Sequence, residues 1–311
     1  MSLLIKKPLS LLQLRIAGFL AMIIATACWG MTGIFVTLVI KNSSMSPAAM
    51  AFWRNFTAFL VLFVFIGVKN KSKLRIKIKN LPWLVGMGMS LGIFHIFYNT
   101  SVILNGVAVT TVLQAAMPAF VTICARYLWK EKITSRKVLA IILTFSGTLL
   151  VAGLTIPGSS GLNIPGLFVG LCVPVLYASW SLFGKKARID HDPVVIILYI
   201  FGIAALVLLP FQPFVGQPTT MSTIAWSAFL GLIAISTIAG FLLYTYALGH
   251  LQASVVSILA MAEIAFVAVY SYFLLSESLT MTQQIGSLLV IVGVLLIFLS
   301  IPKSIPVIES D

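Results

Sequence analysis

Long apolar stretches, broken by short polar or basic segments, run the length of the chain. They fall near 16–40, 48–68, 82–104, 107–128, 137–154, 164–185, 193–211, 222–248, 252–275 and 281–300. Each approaches the roughly 20 apolar residues that a helix needs to cross about 30 Å of hydrocarbon. The pattern predicts ten transmembrane helices. Two pairs of stretches are nearly fused. Between 221 and 275 the only acidic or basic residues are His250 and Glu263, and one helix of that length would far outrun a bilayer at about 1.5 Å per residue. A tight turn is therefore expected at Gly249–His250, and by the same reasoning at Asn105–Gly106.

Composition agrees with this pattern. Sixty per cent of the 311 residues are apolar and 9% are charged, against roughly 25% charged in soluble chains. Most of the surface must therefore face lipid. The 20 Lys and Arg against 7 Asp and Glu sit in the gaps between apolar runs, which speaks against a nucleic-acid partner. With the N-terminus in the cytoplasm, every Lys and Arg except Lys41, Arg54 and Arg126 falls on the cytoplasmic side or beside it. That is the distribution the positive-inside rule demands. It places both termini in the cytoplasm and the protein in a cytoplasmic (inner) membrane. The basic run 69–79 reads as a solvated loop near anionic headgroups. The run 16–40 is too long for a cleaved leader and reads as a first span. Cys28, Cys124 and Cys172 lie singly in apolar stretches, so they form neither a disulfide framework nor a zinc site and read as buried filler.

The two halves of the chain are related. Sliding Tyr98–Leu150 onto Tyr244–Leu296 without gaps leaves 14 of 53 positions identical. The matches include Tyr98/Tyr244, Leu113/Leu259, Ala119-Phe120-Val121/Ala265-Phe266-Val267, Glu131/Glu277, Thr134/Thr280 and Gly147/Gly293. Biased composition inflates apolar matches but does not produce matched Glu, Thr and Gly. Trp29 pairs with Trp180 at a slightly larger offset. Thr280 and Gln283 have the spacing of a capping box opening the last helix. Two repeats, 1–155 and 156–311, follow. Five spans each is an odd number, so the second enters the membrane from the opposite side. Inverted repeats are a transporter device, with a binding site near the midplane between them. The fold expected is all-α: ten transmembrane helices as two inverted five-helix repeats around a central cavity.

Several elements resemble the drug/metabolite transporter superfamily, EamA type. They are Cys28-Trp29-Gly30 in span 1, Phe52-Trp53-Arg54-Asn55 opening span 2, and Pro118 through Trp129-Lys130-Glu131, with Glu263 through Glu277 as the second copy. The resemblance covers essentially the whole chain. It implies a ten-helix bundle with a central cavity, moving amino acids, their derivatives or similar metabolites, often outward. The chain departs from the family pattern in having Glu263-Ile264 where Glu-Pro is common, and Met117-Pro118 without an acid.

Candidate chemistry is sparse. Glu263 is the one acid well inside a span, and charge in lipid is costly enough to mark function. It could exchange a proton, making it the coupling candidate, or pair with a substrate amine; a structural hydrogen-bonded carboxyl is the alternative. Arg54 is a candidate anion contact, or a side chain that snorkels to the headgroups. His95 and Asn99, four apart, share a helix face with Tyr98 alongside, a polar stripe expected to line a pathway. Gln114 lies one turn before Pro118, where proline bends the helix and frees a carbonyl. Trp29, Tyr177, Trp180 and Tyr244 complete the candidate substrate pathway. No nucleotide-binding loop, metal-ligand spacing or paired acids occur, so neither cofactor, metal nor enzymatic activity is expected. The partners expected are a small-molecule metabolite and the lipid bilayer. Secondary transport, led by amino-acid or derivative export, is the first expectation. Uptake of a nucleoside-type or methyl-donor compound is the second, and a lipid-modifying enzyme or scaffold the outlying class.

Overall fold

A computed structural model describes residues 10–69, 71–74, 76, 78–153, 164–211, 221–275 and 279–299. Lys6, Lys7, Arg75, Lys77, Glu277, Lys303, Glu309 and Asp311 lie outside the described residues. The described regular structure is helical throughout. The helices are α1 Leu11–Gly30, α2 Thr32–Lys41, α3 Pro47–Lys69, α4 Leu81–Gln114, α5 Met117–Leu128, α6 Ser135–Val151, α7 Ile164–Ala187 and α8 Pro193–Leu208. They continue with α9 Thr223–Gly231, α10 Gly240–His250, α11 Ala253–Ala260, α12 Ala262–Leu275 and α13 Met281–Phe298. A π-helical segment, Leu232–Ala239, joins α9 to α10. Among the described residues eight helical stretches are long and apolar enough to cross a membrane, and Met117–Leu128 is a shorter apolar helix.

The longest helix, α4, is two rods. Gly106 has φ +81° and ψ 163°, a backbone that glycine adopts without a Cβ penalty. The hydroxyls of Ser101 and Thr110 are hydrogen-bonded at 2.8 Å, which a straight helix would hold about 13.5 Å apart at 1.5 Å per residue. The chain thus doubles back at Asn105–Gly106, where the sequence predicts a turn. In the second half the turn falls slightly later than expected. α10 runs through His250, and the break comes at Leu251, which is extended, with Gln252 as the N-cap of α11. Gly249 stays helical and serves close packing instead: a Cβ there would meet the Arg188 guanidinium at 2.9 Å.

Between helices in lipid there is little hydrophobic drive, so close backbone approach at small residues does the packing. Gly88 and Gly92 on α4 receive Ile203 and Val207 of α8, and Gly147 of α6 abuts the carbonyl of Gly286 in α13. The main helix pairs exchange when the halves are swapped: α4 with α7 is mirrored by α1 with α10, while α3–α8 and α6–α13 map onto themselves. The helix ends follow the sequence signals. Thr280 and Gln283 form the predicted capping box, and Thr134 accepts the Lys137 N–H. The cysteines are free, and none is the buried filler the sequence suggested: Cys28 and Cys124 are half-buried and Cys172 is exposed.

Candidate functional site

Two adjoining cavities lie between the halves. The inner one, about 190 Å³, is walled by aromatic rings: Trp29 of α1, Phe94 and Tyr98 of α4, Tyr177 and Trp180 of α7, and Phe241 of α10. Thr32, Arg54, His95, Gln114 and Glu263 add polar groups to it. The outer one, about 800 Å³, shares Trp29, Arg54, His95, Tyr98, Gln114 and Glu263, and adds Asn99. It widens toward one end of the bundle, between Pro47, Val107, Ala108 and Val151.

Helix irregularities gather around this space. α1 and α2 part at Met31, between Trp29 and Thr32 of the wall. α4 and α5 part at Ala115–Ala116, and α11 and α12 at Met261; Ala115 and Met261 both line the outer cavity. Those two breaks occupy equivalent places in the repeat. Broken helices are tolerated at membrane depth where they face a cavity. The second break puts Glu263 in the first turn of α12, where the helix N-terminus favours a negative charge.

The sequence-expected residues are brought together with few exceptions. Trp29, His95, Tyr98, Gln114, Tyr177, Trp180, Arg54 and Glu263 line the inner cavity and Asn99 the outer. Arg54 does not snorkel: its Nε donates to Thr237 Oγ1 at 2.6 Å, and its guanidinium lies over Phe241. Tyr244 stands one layer behind the wall. It is fully buried, stacked on Trp180 with centroids 4.5 Å apart, and it donates to Ser181 at 2.8 Å. The break between α4 and α5 falls at Ala115–Ala116, within the turn that precedes Pro118, which sits near the start of α5. With no N–H at 118 the Gln114 carbonyl lacks the donor that a continuous helix would give it. Glu263 and Arg54 are not ion-paired among the described residues, and no described group hydrogen-bonds the Glu263 carboxylate. Among the described residues no metal-binding cluster occurs.

At the opposite end the bundle is closed. Leu84, Met87 and Leu248 are fully buried beneath the aromatic wall. Beyond them the first half reaches into the second. Lys130 takes a left-handed conformation and Glu131 N–H returns to the Ala125 carbonyl, a helix-ending turn that aims the Glu131 carboxylate at the start of α11. It accepts the Ala253 N–H at 2.9 Å and the Ser254 N–H at 3.3 Å, and also the Ser254 hydroxyl. Lys137 donates to Gln252 Oε1 at 2.9 Å and Ser254 Oγ at 2.6 Å, with Glu131 at 3.6 Å. Lys185 adds bonds to the carbonyls of Leu248 and Leu251. Sequence reasoning left Glu131 in a loop without a role; its match to Glu277 was the available signal. Phe94, Phe241 and Thr237 were missed because apolar and hydroxyl residues in an apolar run carry no sign of which face they take.

A multi-pass integral membrane protein with broken helices around a mid-bundle cavity is the architecture of a membrane transporter. The chain belongs to the EamA-like transporter family, whose model matches residues 16–153 and again 164–299. It is similar to an uncharacterized transporter of Archaeoglobus fulgidus, 28% identical over 86% of this chain and 94% of the relative. It is also similar to the uncharacterized inner membrane transporter YicL of Salmonella typhimurium, 25% identical over 91% and 95%. A solved crystal structure superposes with a TM-score of 0.73 at 18% identity, covering 91% of this chain and 96% of the other, a likeness of fold alone.

Proposed function

We propose that this transporter carries a small zwitterion, an amino acid or amino-acid derivative, outward across the inner membrane by alternating access. The observation that carries the reading is that Arg54 and Glu263, opposite in charge and forming no direct ion pair among the described residues, face one cavity walled by aromatic rings. A ligand carboxylate would satisfy Arg54, its ammonium Glu263, and its apolar part the rings. Burying two charges without a direct ion-pair contact is costly, so the site is suited to a molecule bearing both. Glu263 is also the candidate proton carrier.

In this reading the chain makes ten crossings as two inverted repeats, with both termini in the cytoplasm. The wide cavity then opens outward and the basic loops lie inside. A cavity open at one end and knitted at the other is what one state of an alternating cycle requires.

The test is thermal stability of the purified protein against a panel of amino acids, nucleosides and vitamins. A ligand at 100 times its Kd stabilises by about 2.7 kcal/mol. Stabilisation by amino acids but not by nucleosides supports the reading; the reverse pattern overturns the substrate class. In proteoliposomes, Glu263→Gln is expected to abolish the pH dependence of transport while preserving insertion. Unchanged pH dependence removes Glu263 as the proton carrier.

A further inference from the structure

The π-helical segment Leu232–Ala239 interrupts a helix where two of its side chains reach other elements. Ser236 and Thr237 are both fully buried. The Ser236 hydroxyl donates to the Cys28 carbonyl at 2.8 Å, tying the segment to α1 beside Trp29. The Thr237 hydroxyl donates to the Leu232 carbonyl, five residues back, at 2.8 Å. With its proton used there, Thr237 Oγ1 accepts from Arg54 Nε at 2.6 Å. Phe241, one turn further on, lies 5.9 Å under the same guanidinium. π-helical turns recur at functional sites; this one supplies the acceptor, and α10, which follows it directly, supplies the ring under the same arginine.

Arg54 would otherwise have a long, mobile stem and could snorkel toward headgroups. Its Nε edge is occupied by Thr237. Among the described residues its two terminal nitrogens have no hydrogen-bond partner, and the side chain lines both cavities. A guanidinium held by one edge presents the other as a fixed fork, the geometry that binds a carboxylate through two parallel hydrogen bonds.

We propose that Thr237, set by the π-helical turn of Leu232–Ala239, is a positioning residue that fixes Arg54 so that its terminal nitrogens receive a substrate carboxylate. This rests on the reading of the cavity as a zwitterion site and assigns the part of it that selects acid over amide.

The test compares L-phenylalanine with L-phenylalaninamide, which share side chain and amine but differ at the carboxylate. Binding to the purified full chain is measured by thermal shift and by competition in proteoliposomes. Wild type is expected to prefer the acid at least tenfold. Thr237→Val should reduce that preference to threefold or less through weaker acid binding alone, with amide affinity unchanged. Thr237→Ser, which keeps the hydroxyl, should restore it. Unchanged amide binding reports that the variant is folded, and Thr237→Ala serves the same comparison if the valine variant does not fold. A full acid preference in Thr237→Val and Thr237→Ala overturns the assignment while leaving the zwitterion site standing. No acid preference in wild type removes Arg54 as the carboxylate contact, and the assignment with it.

Discussion

The two ends of the cavity are built from equivalent pieces of the repeat and differ in what the start of one helix faces. At the closed end the start of α11, Ala253 and Ser254, is covered by the Glu131 carboxylate and the Lys137 ammonium. The equivalent positions in the first half, Val107 and Ala108, follow the Gly106 reversal and line the wide mouth. Glu277, the repeat counterpart of Glu131, lies outside the described residues. The comparison teaches that closure here is a local matter of satisfying a helix N-terminus. The first N–H groups of a helix have no partner within it, so a carboxylate from the other half both satisfies them and binds the halves together. In the first half the same chain segment lines the wide mouth.

The largest expected effect comes from breaking the closed end. Glu131→Ala leaves Lys137 buried at 6% exposure without its carboxylate. Breaking a buried pair on one side costs about 3–5 kcal/mol. In a background lacking native cysteines, a cysteine at position 91 should then react with an impermeant maleimide applied from the closed end, the end with the basic loops (the loop end), and should stay protected from that side in the parent. Adding Lys137→Met should recover part of the loss in stability. Protection from the loop end in Glu131→Ala would show that the apolar plug, not the polar latch, holds that end closed.

The helix caps give a finer comparison. Thr134 and Thr280 are repeat equivalents and cap α6 and α13. Either Thr→Ala change should cost about 1 kcal/mol in denaturation of the detergent-solubilised protein. Thr134→Ala alone should also raise labelling from the loop end, because its hydroxyl accepts the backbone N–H of Lys137. Equal labelling in the two variants would detach the latch from its cap.

The smallest effect on stability is expected at the wide mouth. Ala108→Trp enters the larger cavity of about 800 Å³, where there is room for the ring, so stability should change by no more than about 0.5 kcal/mol. Transport in proteoliposomes should nonetheless fall at least tenfold. Undiminished transport would mean that substrate does not pass this mouth.

Much of this architecture was legible in the sequence because membrane burial is written in composition and length. A run of apolar residues can satisfy its backbone in lipid only as a helix, and Gly106 and the Thr280–Gln283 box mark their own turn and cap. The aromatic and polar wall was partly legible, since Trp29, His95, Tyr98, Gln114 and Glu263 are conspicuous in apolar stretches. Tyr244 was assigned to the pathway and stands behind Trp180, because a residue's depth within a bundle depends on what packs in front of it. Pro118 was read as the bend, and the break at Ala115–Ala116 falls in the turn just before it. Arg54 had two readings at a shallow position, and the hydroxyl that fixes it sits 183 residues away along the chain.

By itself the sequence determined the apolar segments, their turns and the relation of the two halves, because each is a property of neighbouring residues or of a repeated pattern. The tertiary structure alone decided that Thr237 holds Arg54, that Glu131 and Lys137 cap α11, and that one end of the cavity is closed while the other is wide. Those are contacts between residues far apart in the chain, formed only when particular helix faces meet, and local pattern does not say which faces will.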